Sequence, residues 1–152
     1  MKILVTHKIP FYEEVVEPLK ENVTLGKLGD LDETFDGMLC LLTDKINKEI
    51  LDKGKNKKII ANYAVGFDNI DVEECKKRNI LVTNTPCDEV NEAVAEFTWS
   101  LILALARQLE PAANFAKNVG YRGWEPDIFV GTDLKGKTLG VIGSGRIGSM
   151  GI

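Results

Sequence analysis

The chain has 152 residues, 44% of them hydrophobic and 28% charged, with a formal net charge of −4. That length supports one good core and a piece of a second domain. The composition is that of an ordinary soluble globular protein, and the acidic balance excludes a nucleic-acid footprint, since no Lys/Arg-rich stripe stands out. The apolar run Leu101–Ala106 is too short to span a bilayer. Met1-Lys2-Ile3-Leu4-Val5 lacks the apolar region and cleavage site of a signal peptide. Cys40, Cys75 and Cys87 have no metal-type spacing, so reduced thiols in a cytoplasmic protein are expected and no metal site is assigned.

In chain order, Ile3-Leu4-Val5 reads as a short buried strand. A helix follows from Phe11 to Glu21, with Val15, Val16 and Leu19 on one face. Val23-Thr24-Leu25 is a weak second strand. Gly37–Leu42 is continuously apolar, as in a strand buried on both faces of a parallel sheet. Thr43 or Asp44 is placed to cap a helix through Ile46, Ile50 and Leu51 that Gly54 stops. The lysines at 53, 55, 57 and 58 read as a solvated turn leading into the strand Lys58–Tyr63. Asp71 caps a helix Val72–Arg78, and Ile80–Asn84 is the next strand. Alternation of this kind predicts an α/β fold with a parallel sheet and helices on both faces.

The pattern changes after Thr85-Pro86. From Asn91 to Arg107 nearly every residue is apolar or small, which predicts a helix buried all round, between domains or subunits. Pro111 opens a second helical piece, Ala112–Asn118. Tyr121–Pro126 reads as a loop and Leu134–Lys137 as a turn feeding a last strand, Thr138–Ile142.

That strand runs into Gly143-Ser144-Gly145-Arg146-Ile147-Gly148, a G-x-G-x-x-G turn. Glycines there permit a tight bend and close approach of backbone N–H groups to a pyrophosphate. Only four residues follow Gly148, so the helix is expected to be too short to hold, and the acidic residue due about 20 positions later is not in this sequence. The unpaired strand is expected to be disordered or to pair with an exposed edge.

Ala64-Val65-Gly66-Phe67-Asp68 lies beyond a strand's carboxyl end, where the Val65 and Gly66 N–H groups are available to a carboxylate, although from spacing alone an ordinary turn is the better reading. His7, the one histidine, reads as a loop residue, and Cys87 as an inert thiol. Asp68 and Asp71 read as turn and cap residues. Glu96, in an apolar helix, is expected at a domain boundary in a structural role.

Three blocks together resemble the D-isomer-specific 2-hydroxyacid dehydrogenases. They are Asn62–Asp71, then Ile80–Pro86 with Val94-Ala95-Glu96, and Leu134–Gly148. Within that family, Asn62–Gly66 and Trp124-x-Pro126 leading to Phe129-Val130-Gly131 are most similar to the glyoxylate/hydroxypyruvate reductase branch, with phosphoglycerate dehydrogenases still open. The resemblance implies a flavodoxin-like substrate domain over residues 1–99 and an interdomain, dimerising helical segment over 100–122. Residues 123–152 would be the truncated start of a Rossmann domain. It implies substrate carboxylate binding at Val65 and Gly66. Cofactor contacts would come from Val65, Gly143, Gly145, Arg146, Ile147 and Gly148. The parent would use NAD or NADP to reduce a small 2-oxo acid, as a homodimer through Asn91–Arg107 and without nucleic-acid or membrane partners. The family's catalytic arginine, glutamate and histidine all follow the glycine turn, so no catalytic residue is assigned here. This chain alone is expected to bind no cofactor and to be catalytically incompetent. The alternative is a non-catalytic dimerising α/β module.

Overall fold

The computed structural model describes residues 1–118 and 122–151. The chain divides into two compact units, Met1–Pro86 and a second beginning at Cys87.

The first unit is a five-stranded parallel sheet in the order β2-β1-β3-β4-β5, with β1 Ile3–Val5, β2 Val23–Leu25, β3 Gly37–Cys40, β4 Ile59–Asn62 and β5 Leu81–Thr83. This is the flavodoxin-like, doubly wound order, in which ligands collect beyond the carboxyl ends of the strands. Every neighbouring pair is parallel, and the connections carry α1 Tyr12–Val16, α2 Lys48–Lys53 and α3 Val72–Lys77. The core is built on the central strands: Leu4, Met38, Cys40 and Ile60 are buried with Ile46, Leu51 and Cys75 from the connections. Burial, and secondarily the carboxylate of Asp44, pushes the Cys40 thiol up to about 12, so it stays a thiol at neutral pH.

Three expectations for this unit need correction. The first helix spans only Tyr12–Val16 and continues as a 3₁₀ turn, Glu17–Asn22, because Pro18 offers no N–H to an α-helix. Val16 is buried, whereas Val15 and Leu19 face solvent. Thr43 and Asp44 do not cap α2. Ile46 is held extended by a bridge to Ile70, which delays the helix until Asn47, whose Oδ1 accepts the Ile50 N–H at 3.1 Å. The basic turn is not fully solvated, since Lys57 is 4% exposed and its Nζ has no hydrogen-bond partner. Asp71 does cap α3, accepting the Glu74 N–H at 2.9 Å.

In the second unit, α4 runs Asp88–Ala106 and α5 Leu109–Asn118. The break between them is Gln108, at φ 51°, whose Nε2 donates to the Val130 carbonyl at 2.6 Å. The segment after Phe129 is seated there: the Thr132 N–H donates to the Ala106 carbonyl at 2.7 Å, and Phe129 meets Phe115 edge to face. Helix α5 starts two residues before Pro111, which falls in the first turn, where no N–H is needed. Arg122–Pro126 has no regular element, and Tyr121 lies outside the described residues. Helix α4 is not buried all round in this chain: only Asn91 and Ala95 are buried, while Phe97 is 63% and Leu105 81% exposed. Glu96 is exposed and needs no buried partner.

Candidate functional site

The carboxyl ends of β1, β3 and β4 carry a polar network. Asn62, 1% exposed, donates from Nδ2 to the Gly66 carbonyl at 2.9 Å and to Asn69 Oδ1 at 3.1 Å. Its Oδ1 accepts from the Cys40 thiol and from Asn69 Nδ2, and Asn69 Nδ2 also reaches the carbonyls of Leu41 and Asp44 at 3.1 and 3.0 Å. The buried Asp44 carboxylate accepts the Thr6 hydroxyl at 2.5 Å and the Leu41 N–H at 2.9 Å. His7 stands at the rim, its Nδ1 3.2 Å from Thr6 Oγ1 and 3.5 Å from Asp44 Oδ2. Side chains of this kind are saturated, so the loops they join are held rigidly.

The loop so held is Ala64–Phe67. Three successive carbonyls in it are pinned by the protein: Ala64 by the Thr85 N–H at 2.9 Å, Val65 by Asn84 Nδ2 at 2.8 Å, and Gly66 by Asn62 Nδ2. Pro86 favours an extended Thr85, so Asn84 and Thr85 continue alongside the end of β4 beyond the Ala61–Thr83 register. Among the described residues, the N–H groups of Val65 and Gly66 donate to no protein acceptor. Gly66 has no internal reason to be glycine, since a Cβ there would meet nothing closer than 3.9 Å. Phe67, Val72, Val82 and Asn84 line a small cavity of ≈ 140 Å³ nearby. The family resemblance pointed to Val65 and Gly66, and sequence reasoning missed the hydrogen bonds of Asn62, Asn69 and Asn84. The signal available was two asparagines, Asn62 at the end of β4 and Asn84 just beyond β5, with Asn69 in the loop between β4 and α3.

The glycine turn belongs to the other unit. Thr138–Ile142 is not a strand: it has no paired neighbour among the described residues, because a strand exists only as one side of a ladder. It is nevertheless placed, lining with Ala95, Thr98, Trp99 and Ile102 of α4 an apolar cavity of ≈ 250 Å³. The expectation that the following helix would fail is also corrected. Helix α6, Arg146–Met150, is formed, and Trp99 Nε1 donates to the Gly151 carbonyl at 3.0 Å.

Gly143 takes φ 93°, and a Cβ on Gly148 would fall 2.0 Å from the Gly143 carbonyl oxygen. The first and third glycines are therefore required by the turn itself. Gly145, the residue before α6, has open space about its Cα, and the Arg146 and Ile147 N–H groups begin a helix with no acceptors within it. These features fit a dinucleotide pyrophosphate, while no residue of this sequence beyond Gly148 is acidic. Gly148→Ala is expected to lever α6 off the turn. Loss of protection of the Trp99 indole N–H in hydrogen exchange, with the first unit unchanged, is the readout.

Of the remaining candidates, Cys87 Sγ lies 3.0 Å from Glu89 Oε2, an interaction that holds the Glu89 carboxyl below its usual range. Asp68 is exposed. Among the described residues no cluster can hold a metal, and no helix is long and apolar enough to cross a membrane.

Comparison with known proteins agrees with this architecture. Residues 3–139 match the family model of the D-isomer-specific 2-hydroxyacid dehydrogenase catalytic domain. A glyoxylate reductase of Thermococcus kodakarensis is 40% identical over 97% of this chain and 48% of its own length. The crystal structure of the TT0316 protein of Thermus thermophilus superposes with a TM-score of 0.89 at 34% identity, over 99% of this chain and 51% of that one. The D-lactate dehydrogenase of Aquifex aeolicus, solved with NAD and lactic acid, gives 0.81 at 32% identity, over 99% of this chain and 46% of that one. The chain spans about half the length of the curated relatives it matches. It belongs to the D-isomer-specific 2-hydroxyacid dehydrogenase family, whose members use a nicotinamide cofactor.

Proposed function

We propose that this chain is the substrate-binding portion of an NAD(P)-dependent, cytoplasmic reductase that converts a small 2-oxo acid of the glyoxylate or hydroxypyruvate type to a D-2-hydroxy acid. The carrying observation is the pair of unpartnered N–H groups at Val65 and Gly66, held beyond the sheet's carboxyl ends. Two such donors suit the two oxygens of a carboxylate. The name of the Thermococcus relative supports glyoxylate as the class of substrate.

The chain binds the acid and does not reduce it. Its single histidine, His7, hydrogen-bonds at the rim of the Thr6–Asp44 pair and matches no acid/base position of the family. The glycine turn by itself gives the cofactor its phosphate contacts and nothing for the adenosine ribose. Calorimetry separates these statements. Glyoxylate is expected to give saturable heat, and NADH or NADPH none at sub-millimolar concentration. Heat from the nucleotide with none from glyoxylate would reverse the assignment.

A second reading, a non-catalytic dimerising α/β module, draws on the exposed stripe Val90, Val94, Phe97, Leu101 and Leu105 on α4. In both readings the chain forms a homodimer through Asn91–Arg107. Sedimentation at several concentrations is expected to show a dimer that Leu101→Glu converts to monomer. A wild-type monomer throughout would eliminate the dimer, and heat from glyoxylate favours the first reading over the second.

A further inference from the structure

We propose that Asn84 is a positioning residue for the acid-binding loop: its hydrogen bond to the Val65 carbonyl fixes the direction in which the Gly66 N–H is offered to a carboxylate. The inference rests on the reading of Val65 and Gly66 as the carboxylate site.

A trans peptide places its C=O and N–H on opposite sides of one rigid plane. Whatever holds the carbonyl of residue i therefore aims the N–H of residue i+1. The Thr85 N–H on the Ala64 carbonyl aims the Val65 N–H, Asn84 on the Val65 carbonyl aims the Gly66 N–H, and Asn62 on the Gly66 carbonyl aims the Phe67 N–H. Three consecutive peptide planes are thus locked from behind. Their three N–H groups donate to no acceptor among the described residues. This loop spends protein donors on every carbonyl and leaves the opposite edge open.

The three anchors differ in what else they do. Thr85 acts through its backbone, and Asn62 is buried inside the network that joins β3 to β4, so its loss disturbs the fold. Asn84 is half-buried at the sheet's edge, and among the described residues its side chain hydrogen-bonds only the Val65 carbonyl. It is not one of the buried residues of the first unit's core. Donation to a carbonyl also polarises the peptide, making the Gly66 N–H a stronger donor. Asn84 touches no reacting atom in this scheme and acts only through the loop.

The test is amide-resolved NMR titration of the whole 152-residue chain with oxamate, a stable 2-oxo acid analogue, in the wild type, Asn84→Leu and Asn84→Asp. Leucine is near-isosteric, uncharged and lacks the donor. Aspartate has the shape of asparagine and also lacks it. In the wild type, oxamate is expected to shift the Val65 and Gly66 amides. Both variants are expected to bind about tenfold more weakly, the worth of one hydrogen bond, with thermal stability preserved. The unliganded Gly66 amide proton is expected to move upfield in both, a signature that a merely structural role would not produce. Unchanged affinity and an unchanged Gly66 amide in the variants, with the wild type still binding at Val65 and Gly66, would overturn the role of Asn84 and leave the carboxylate site standing. No wild-type shift at Val65 and Gly66 would overturn both.

Discussion

Asn62→Asp is expected to destabilise the first unit by about 3–5 kcal/mol at neutral pH, lowering its melting temperature by roughly 15 °C or more. The side chain keeps its shape but loses both donors. The oxygen that replaces Nδ2 then confronts both the Gly66 carbonyl and Asn69 Oδ1, now 2.9 and 3.1 Å from Nδ2. Each unsatisfied buried acceptor costs about 1–3 kcal/mol, and an unpaired buried carboxylate costs more. The sign of the pH dependence follows. Burial without a cation raises the new carboxyl's folded pKa above its unfolded value. The variant's deficit is therefore smallest below the unfolded carboxylate range and grows as pH rises through the folded pKa. Thermal melts at acidic and neutral pH check this, and a loss below about 1 kcal/mol at neutral pH would mean the network is not closed as described.

Lys57→Met is expected to act in the opposite direction, stabilising the first unit by about 1–3 kcal/mol. The ammonium is buried and unpartnered, and it is lodged where a Cβ on Gly54 would be. Desolvation lowers its pKa, only partly offset by the charge of Asp32. A lowered lysine pKa means that the unfolded chain binds more protons between the folded value and the ordinary lysine value of about 10.4. The cost is present in full below the folded pKa and is relieved as pH climbs through that window. The wild type should therefore gain stability on the alkaline side relative to Lys57→Met, in which that titration is gone. Urea unfolding of both proteins at neutral and alkaline pH measures it. A methionine variant less stable than the wild type at neutral pH would show that the ammonium has a partner in solution.

These two residues also show where sequence and structure part. Strand and helix order was legible, because Ile3–Val5, Gly37–Cys40 and Ile59–Asn62 are short apolar runs bounded by turn residues. The cap at Asp71 was legible because its geometry is local. Helix starts set by distant partners were not: Asn47 caps α2 only because Ile46 is drawn into a bridge with Ile70, far along the chain. Lys57 illustrates the same limit, since a basic turn reads as solvated until its neighbours are known. The exposure of α4 was hidden for another reason. An apolar sequence states what a helix needs covered and not which molecule covers it.

The candidate site divides similarly. Position and family resemblance point to Val65 and Gly66 as the proposed carboxylate donors. The reason their N–H groups are free lies in Asn62, Asn84 and Thr85, which come from two strands that are neighbours only after folding. At the glycine turn the spacing was sufficient, because the demands on Gly143 and Gly148 come from the turn itself.

The backbone amides of Val65 and Gly66 are proposed to receive the carboxylate of a small 2-oxo acid. A crystal structure of the chain grown with oxamate tests it most directly. Carboxylate oxygens are expected within hydrogen-bond distance of both nitrogens, with the Asn84 contact to the Val65 carbonyl intact. Oxamate seated at the Gly143–Gly148 turn instead, with the Val65 and Gly66 amides bound only to water, would contradict it.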